Sequence, residues 1–202
     1  MSIMAESGGK DTRERILRCA EELFGQRGYE AVAVSDIAQA CGVSTALIYY
    51  HYTDKESLLR ALVERASAVF DVHTRTAVEG TGSARERLET FIESWVRSAD
   101  EHESLLRILV RPLTDPGGPL SAELLEGIGR TVEDLAAVIA EGVEGGEFAP
   151  VDPGMAAECL LGLVNTRAAA SVLSKLVPGE PVEPVRANAD FIVQLFFRGT
   201  SA

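Results

Sequence analysis

Three residues, Ala38, Gly42 and Ile48, constrain this chain more than any others. Two helices can cross at a steep angle only where a small side chain lets the backbones approach, and Ala38 supplies it. The turn between them needs a residue that tolerates positive φ, which Gly42 does, and Val43 and Ile48 then close a small apolar core. Ser44 stands where its hydroxyl can accept from a backbone N–H one turn into the second helix. Residues 45–51 therefore form a short helix standing proud of the surface, the arrangement that enters a DNA major groove. With Ile48 facing inward, Thr45, Ala46, Tyr49 and Tyr50 fall largely outside the buried stripe, and Leu47 lies at its edge. Exposed phenols need something to touch, either a neighbouring helix or a ligand as large as a duplex.

The charge pattern favours the duplex. No acidic residue occurs between Asp36 and Asp54, in a chain with 31 Asp and Glu. A surface that faces phosphates must exclude carboxylates, and this one does. The net charge of −12 argues the other way until it is mapped. Residues 1–60 carry seven Lys and Arg against nine Asp and Glu, whereas residues 61–202 carry twelve against twenty-two. The acidity belongs to the second part. A small reading head with a few placed phosphate donors then has weak non-specific DNA affinity and strong salt sensitivity.

With 202 residues, 46% of them hydrophobic, the chain can form one large domain or a small one joined to a larger. No run reaches the length of a membrane span and no secretory signal opens the chain, which predicts a cytoplasmic protein with no membrane partner. Cys19, Cys41 and Cys159 are far apart in sequence and lack metal-ligand spacing. They read as reduced helix residues, so no metal and no cofactor are expected. The three histidines lie near no Cys/Asp/Glu cluster of ligand spacing, and no Gly-rich phosphate loop occurs. Catalysis lacks visible equipment, and the chain does not read as an enzyme.

Helical periodicity runs throughout, with no sustained alternation of strand type, so the fold class is all-α with about nine helices. Residues 1–9 read as a disordered tail. Asp11 and Glu14 make a capping box for a helix whose inward positions are Ile16, Cys19, Ala20, Leu23 and Phe24 and which ends at Gly28. Thr53 and Glu56 form a second box, opening a helix of about 54–78 with Leu58, Leu59, Leu62, Ala66 and Phe70 inward. Ser83 and Glu86 cap another helix, and Asp100 and Glu103 cap the next, which runs to Pro112. After the loop TDPGG, a helix of about 119–144 carries Leu124, Leu125, Ile128, Val132, Leu135 and Ile139. Asp152, with Pro153 in the first turn, opens a helix to about 176. The connection PGEPVEP precedes a last helix at 184–198. These boundaries divide the chain into the tail 1–9, a DNA-binding unit 10–56 and a helical effector-binding and dimerisation unit 57–202.

The stretch GYEAVAVSDIAQACGVSTALIYYHYTDKESLL resembles the signature of the tetracycline-repressor (TetR) family of bacterial regulators. Ile37-Ala38, Gly42-Val43-Ser44, Ile48-Tyr49, Tyr52 and Lys55-Glu56 occupy the expected places. The resemblance implies that Thr45, Ala46, Leu47 and Tyr50 face bases, and that Tyr49, His51 and Lys55 contact phosphates. Two positions depart from the pattern. Ala33 stands where a threonine usually precedes the motif, and cannot cap or donate. Ser35 occupies a place often held by arginine, so it offers only a short contact to DNA. With no arginine on the reading helix, base readout leans on apolar contacts, phosphates and DNA shape.

One such module makes too few base contacts for useful specificity, so a homodimer on a palindromic double-stranded DNA operator is expected. Leu160, Leu161, Val164, Ala168, Val172 and Leu176 on one late helix, with Phe191, Ile192, Leu195 and Phe196 on the last, exceed what one packing face needs. Leu161, Val164, Ala168, Val172, Phe191 and Leu195 are the expected dimer contacts. The resemblance places a small-molecule effector pocket among the middle helices. Phe70, Phe91, Trp95, Leu106 and Leu109 are its candidate apolar lining, with His73, His102, Asn165 or Arg167 as polar handles. A largely apolar effector would then swing the helix 54–78 and release the DNA by population shift. The competing reading is a helical ligand-binding or protein-interaction module with little specific DNA binding.

Overall fold

The computed structural model describes residues 3–106, 108, 121–174 and 185–200. Eight helices are bounded among them: α1 (Ile3–Arg27), α2 (Val34–Cys41), α3 (Thr45–His51), α4 (Lys55–Glu79), α5 (Ala84–Glu101), α6 (Ser121–Glu144), α7 (Pro153–Ser174) and α8 (Val185–Thr200). A further helical stretch covers 103–106 and 108, and no strand occurs among the described residues. The all-α expectation therefore holds. Pro112, the TDPGG loop and the PGEPVEP connection lie outside the described residues.

Several helix starts follow local chemistry as read, and others do not. Ser83 Oγ accepts from Glu86 N–H at 3.2 Å while Glu86 accepts from Ser83 N–H at 3.0 Å, the reciprocal box expected for α5. Asp152 Oδ1 accepts from Met155 N–H at 2.7 Å at the head of α7. For α4, however, the cap is Asp54, not Thr53. Its carboxylate accepts from Ser57 N–H at 2.7 Å and Ser57 Oγ accepts from Asp54 N–H at 3.2 Å. A charged acceptor at a positive helix end outcompetes a neutral hydroxyl. Asp100 lies inside α5, which continues to Glu101 and is closed by His102, whose N–H donates to Ser98 O at 2.9 Å. The expected tail is also corrected, because α1 begins at Ile3. Once a helix is nucleated, each added residue gains a hydrogen bond, and α1 extends back through Gly8 and Gly9. Asp11 and Glu14 are thus interior to the helix, and Glu14 reaches Arg65 of α4 at 2.6 Å instead of capping.

Two apolar clusters form. The first joins Ile16, Leu17, Ala20 and Phe24 of α1 to Ile37, Ala38 and Ile48, and to Leu58, Leu62 and Ala66 in the first half of α4. The second gathers Phe70 and Ala77 of α4 with α5, α6, α7 and α8 around Phe91, Trp95, Leu135 and Leu160. Helix α4 therefore serves both. So does the stretch after α5, where Leu105 and Ile108 enter the first cluster while Leu106 enters the second. In α6 the expected stripe holds at Leu135 and Ile139, but Leu125 is exposed, and the side chain of Leu124 is outside the description.

Long-range polar contacts set the second cluster's frame. Glu147, in the α6–α7 connection, accepts from the N-terminal amides of α5 at Ala84 (3.2 Å) and Arg85 (3.1 Å). Arg87 donates to Ala77 O at 2.7 Å and Val78 O at 2.9 Å, closing the C-terminus of α4, and pairs with Glu141 of α6. Charges of the right sign thus sit at both helix ends.

Candidate nucleic-acid interface and effector core

The start of α2 has no side-chain cap at Ala33, as the missing hydroxyl requires. Asp36 compensates from inside the first turn, its Oδ2 accepting from Ala33 N–H at 2.9 Å. At the other end Gly42 adopts φ 64°, ψ 38°, and its N–H donates to Gln39 O at 3.2 Å. Val43 N–H then donates to Ala38 O at 3.0 Å, which completes the turn. Ser44 Oγ accepts from Leu47 N–H at 3.2 Å and opens α3. Ile48 is buried against Ile37 and Ala38, so the helix can face only one way.

That orientation exposes the expected reading residues. Thr45 and Ala46 are exposed, Leu47 is half-buried, and Tyr49 and Tyr50 are 53% and 81% exposed. His51 is half-buried and meets the Tyr50 ring edge-on at 5.1 Å between centroids. Ser35 is exposed at the start of α2. Lys55 is placed differently from a free phosphate donor. Its ammonium sits 4.2 Å from the centre of the Tyr29 ring and donates to Glu30 O at 3.4 Å. As the first residue of α4 it is drawn back onto the α1–α2 loop.

Two supports escaped the sequence reading. Tyr52 is buried, donates to Arg13 O at 3.3 Å and lies under the Arg13 guanidinium at 5.0 Å. Burial pushes its phenol above the usual range. Tyr29, which carries Lys55, is pushed up the same way, with the Glu30, Glu56 and Asp54 carboxylates adding to the effect. Neither aromatic shows its role in helical spacing, because both act across the chain.

The cysteines require a correction. Cys19 of α1 and Cys41 at the end of α2 are joined as a disulfide, with Cα atoms 6.0 Å apart across 22 positions of sequence. Sequence distance concealed the pair because packing of α1 against α2 brings them together. Cys159 is free and exposed.

Of the residues expected around an effector, Phe70, Phe91 and Trp95 are brought together. The Trp95 ring lies tilted against Phe70 at 4.8 Å and Phe91 at 5.3 Å between centroids, and Leu106 joins the same cluster. Trp95 Nε1 is buried there without a hydrogen-bond partner. Half-buried His73 has its pKa lowered by burial and by the Arg97 guanidinium; Glu101 acts against this, and His102 lowers it further. Asn165 is half-buried on α7. Leu109 and the side chain of Arg167 lie outside the described residues. A cleft of about 260 Å³ opens between α4 and α6, lined by Asp71, Thr74, Arg75, Glu79, Arg130 and Asp134 among others.

The expected dimer set divides. Phe191 and Leu195 stand exposed on α8. Leu161 and Val164 do not, because both are buried in the chain's own core. Helix α7 is apolar over so wide an arc that its pattern could not tell the inner face from the outer. Its exposed positions among the described residues are Met155, Glu158, Cys159, Gly162 and Thr166, on the opposite side. The side chains of Ala168 and Val172 lie outside the description.

A capped, carboxylate-free helix held over a glycine turn and backed by a separate helical core defines a helix-turn-helix DNA-binding regulator. Residues 16–62 match the family model for bacterial regulatory proteins of the tetR family, and residues 81–169 match that for the tetracyclin repressor-like C-terminal domain. The chain belongs to the TetR family. It is similar to the HTH-type transcriptional regulator UidR of Escherichia coli K12, 24% identical over 164 residues that cover 78% of this chain and 80% of UidR. It is also similar to EthR of Mycolicibacterium smegmatis, 27% identical over 93% of this chain and 87% of EthR. Among solved structures, the TetR family transcriptional regulator PfmR from Thermus thermophilus superposes with a TM-score of 0.78. That pair is 27% identical and covers 91% of this chain and 97% of PfmR.

Proposed function

We propose that this protein is a cytoplasmic, homodimeric repressor that binds a palindromic operator and is released by a small effector. The observation that carries the reading is α3 itself, which exposes Tyr49 and Tyr50 beside Thr45 and Ala46 with no carboxylate on the helix. Residues 10–56 act as the reading head and 57–202 as the effector and dimer unit. Thr45, Ala46, Leu47 and Tyr50 face bases, Tyr49 and His51 face phosphates, and Ser35 lies exposed beside the same DNA surface. Lys55 joins them by leaving Tyr29 for a phosphate, a cation exchanging a ring for a full negative charge. The dimer face is that of Met155 and Gly162 on α7 with Phe191 and Leu195 on α8, where exposed apolar side chains accompany a small residue that admits a neighbouring helix.

The effector is largely apolar and inserts by the Phe70, Phe91 and Trp95 rings, offering one acceptor to the unpartnered Trp95 N–H. No chemistry is performed on it. Membrane insertion plays no part, and no helix among the described residues is long and apolar enough to cross a membrane. The test is fluorescence anisotropy with duplexes from the DNA upstream of the chain's own reading frame. Wild type should bind one of them selectively, and Tyr50→Ala should weaken that binding at least several-fold with an unchanged melting temperature, since Tyr50 contributes little to the fold. Equal, weak binding of every fragment by both proteins would instead support a helical ligand-binding module without specific DNA recognition.

A further inference from the structure

We infer that Cys19 and Cys41 are a reversible dithiol–disulfide site, a redox input to the reading head that is separate from any effector. Three observations carry it. The two Cα atoms lie 6.0 Å apart, within the span a disulfide bridges without backbone movement. Both residues are half-buried, packed against the apolar cluster of the head yet open on one side to small reagents. Finally, Cys41 Sγ lies 3.6 Å from Arg15 O, so the same geometry gives the reduced thiol an acceptor. The site accommodates both states.

Its position gives the bond a consequence. Cys41 is the last residue of α2, directly before Gly42, and α3 begins three residues beyond that glycine. Cys19 sits in α1, which is held to α4 by the Glu14–Arg65 pair. Oxidation therefore anchors the turn that aims α3 to the scaffold beneath it. Reduction leaves the turn held by packing and its two backbone hydrogen bonds.

The chemistry balances with a hydroperoxide as oxidant. One thiolate attacks the peroxide's terminal oxygen, the O–O bond breaks, and an alcohol (or water) leaves as a sulfenic acid forms. The second thiol then attacks that sulfur, the S–O bond breaks, water leaves and the S–S bond closes. Two thiols have lost two electrons and the peroxide has gained them. A small dithiol reverses the step by exchange and is itself oxidised to its disulfide.

The test uses the full-length protein, treated with hydrogen peroxide or with dithiothreitol and then freed of reagent. Alkylation in urea followed by unreduced tryptic digestion should join the peptide 19–27 to the peptide 28–55 in the oxidised sample only, with Cys159 alkylated in both. The oxidised form should melt roughly 5 °C or more above the reduced form, and amides of α2 and α3 should exchange more slowly. Cys41→Ser and, separately, Cys19→Ala should abolish the difference between treatments while still folding. Peroxide that leaves all three thiols free, or links Cys159 between chains instead, overturns the inference. So does a Cys19–Cys41 bond whose formation changes neither melting nor exchange. None of these readouts involves DNA, so the outcome is independent of the repressor reading.

Discussion

Replacing Gly42 by alanine isolates backbone strain at the turn that aims the reading helix. Gly42 holds φ 64°, ψ 38°, and a Cβ built there meets nothing within 4 Å. Packing therefore adds no penalty, and the cost is the left-handed conformation itself, about 1–2 kcal/mol for a residue with a side chain. The turn could escape by leaving that region, but it would forfeit the bonds from Gly42 N–H and Val43 N–H to the end of α2. At about 0.5–1.5 kcal/mol each, this route is no cheaper. Native-state hydrogen exchange at the α2 and α3 amides should then accelerate by a factor of roughly 5–30 in Gly42→Ala. Asparagine tolerates the left-handed region, so Gly42→Asn should recover most of the protection. Alanine and asparagine variants that exchange alike would refute the reasoning, as would an alanine cost above about 4 kcal/mol, which only a clash could produce.

Arg87→Ala should destabilise the protein by about 2–4 kcal/mol, because it strips charged donors from Ala77 O and Val78 O and unpairs Glu141. Urea denaturation followed by circular dichroism measures it, and a loss below about 1 kcal/mol would show that water replaces the guanidinium freely. For His73, burial and then the Arg97 guanidinium lower the folded pKa below the ordinary value of 6.5. The unfolded chain binds the proton more readily, so this contribution is complete above the unfolded pKa and is lost as pH falls from about 7 towards the folded pKa. Melting curves between pH 7.5 and 5 should show a decline that His73→Gln reduces; parallel declines in both proteins would exclude the residue.

The head was legible because its instructions are local. Ser44, Gly42 and Ile48 act within one or two turns of their own positions, and each does in the structure what its chemistry demands. Ala33 was equally transparent, although the repair by Asp36 needs the backbone geometry to be seen. What stayed hidden depends on chain segments far apart. Cys19 meets Cys41, Lys55 meets Tyr29, and Glu147 reaches the start of α5 from 62 and 63 positions away. Helix α7 failed for a different reason. Apolar residues all round it leave periodicity without a phase, so Leu161 and Val164 fit either side by pattern and belong to the inner one. Leu106 and Leu105 are adjacent and both apolar, and nothing in the pattern says that Leu106 enters the second cluster while Leu105 enters the first.

Helix α4 has a mechanical consequence beyond its two packing roles. From Thr74, buried between Phe70 and Ala77 of the second cluster, to Lys55, beside the reading helix, there are 19 residues, about 28 Å of rigid rod. A tilt of about 5° pivoting at Thr74 carries the Lys55 end through roughly 2.5 Å. Two heads moving oppositely in a two-fold assembly would change their separation by about twice that, roughly 5 Å, against a groove repeat of about 34 Å. The gearing is set by the rod's length, so a repacking of less than one ångström at Phe70 is magnified several-fold where the protein meets its target.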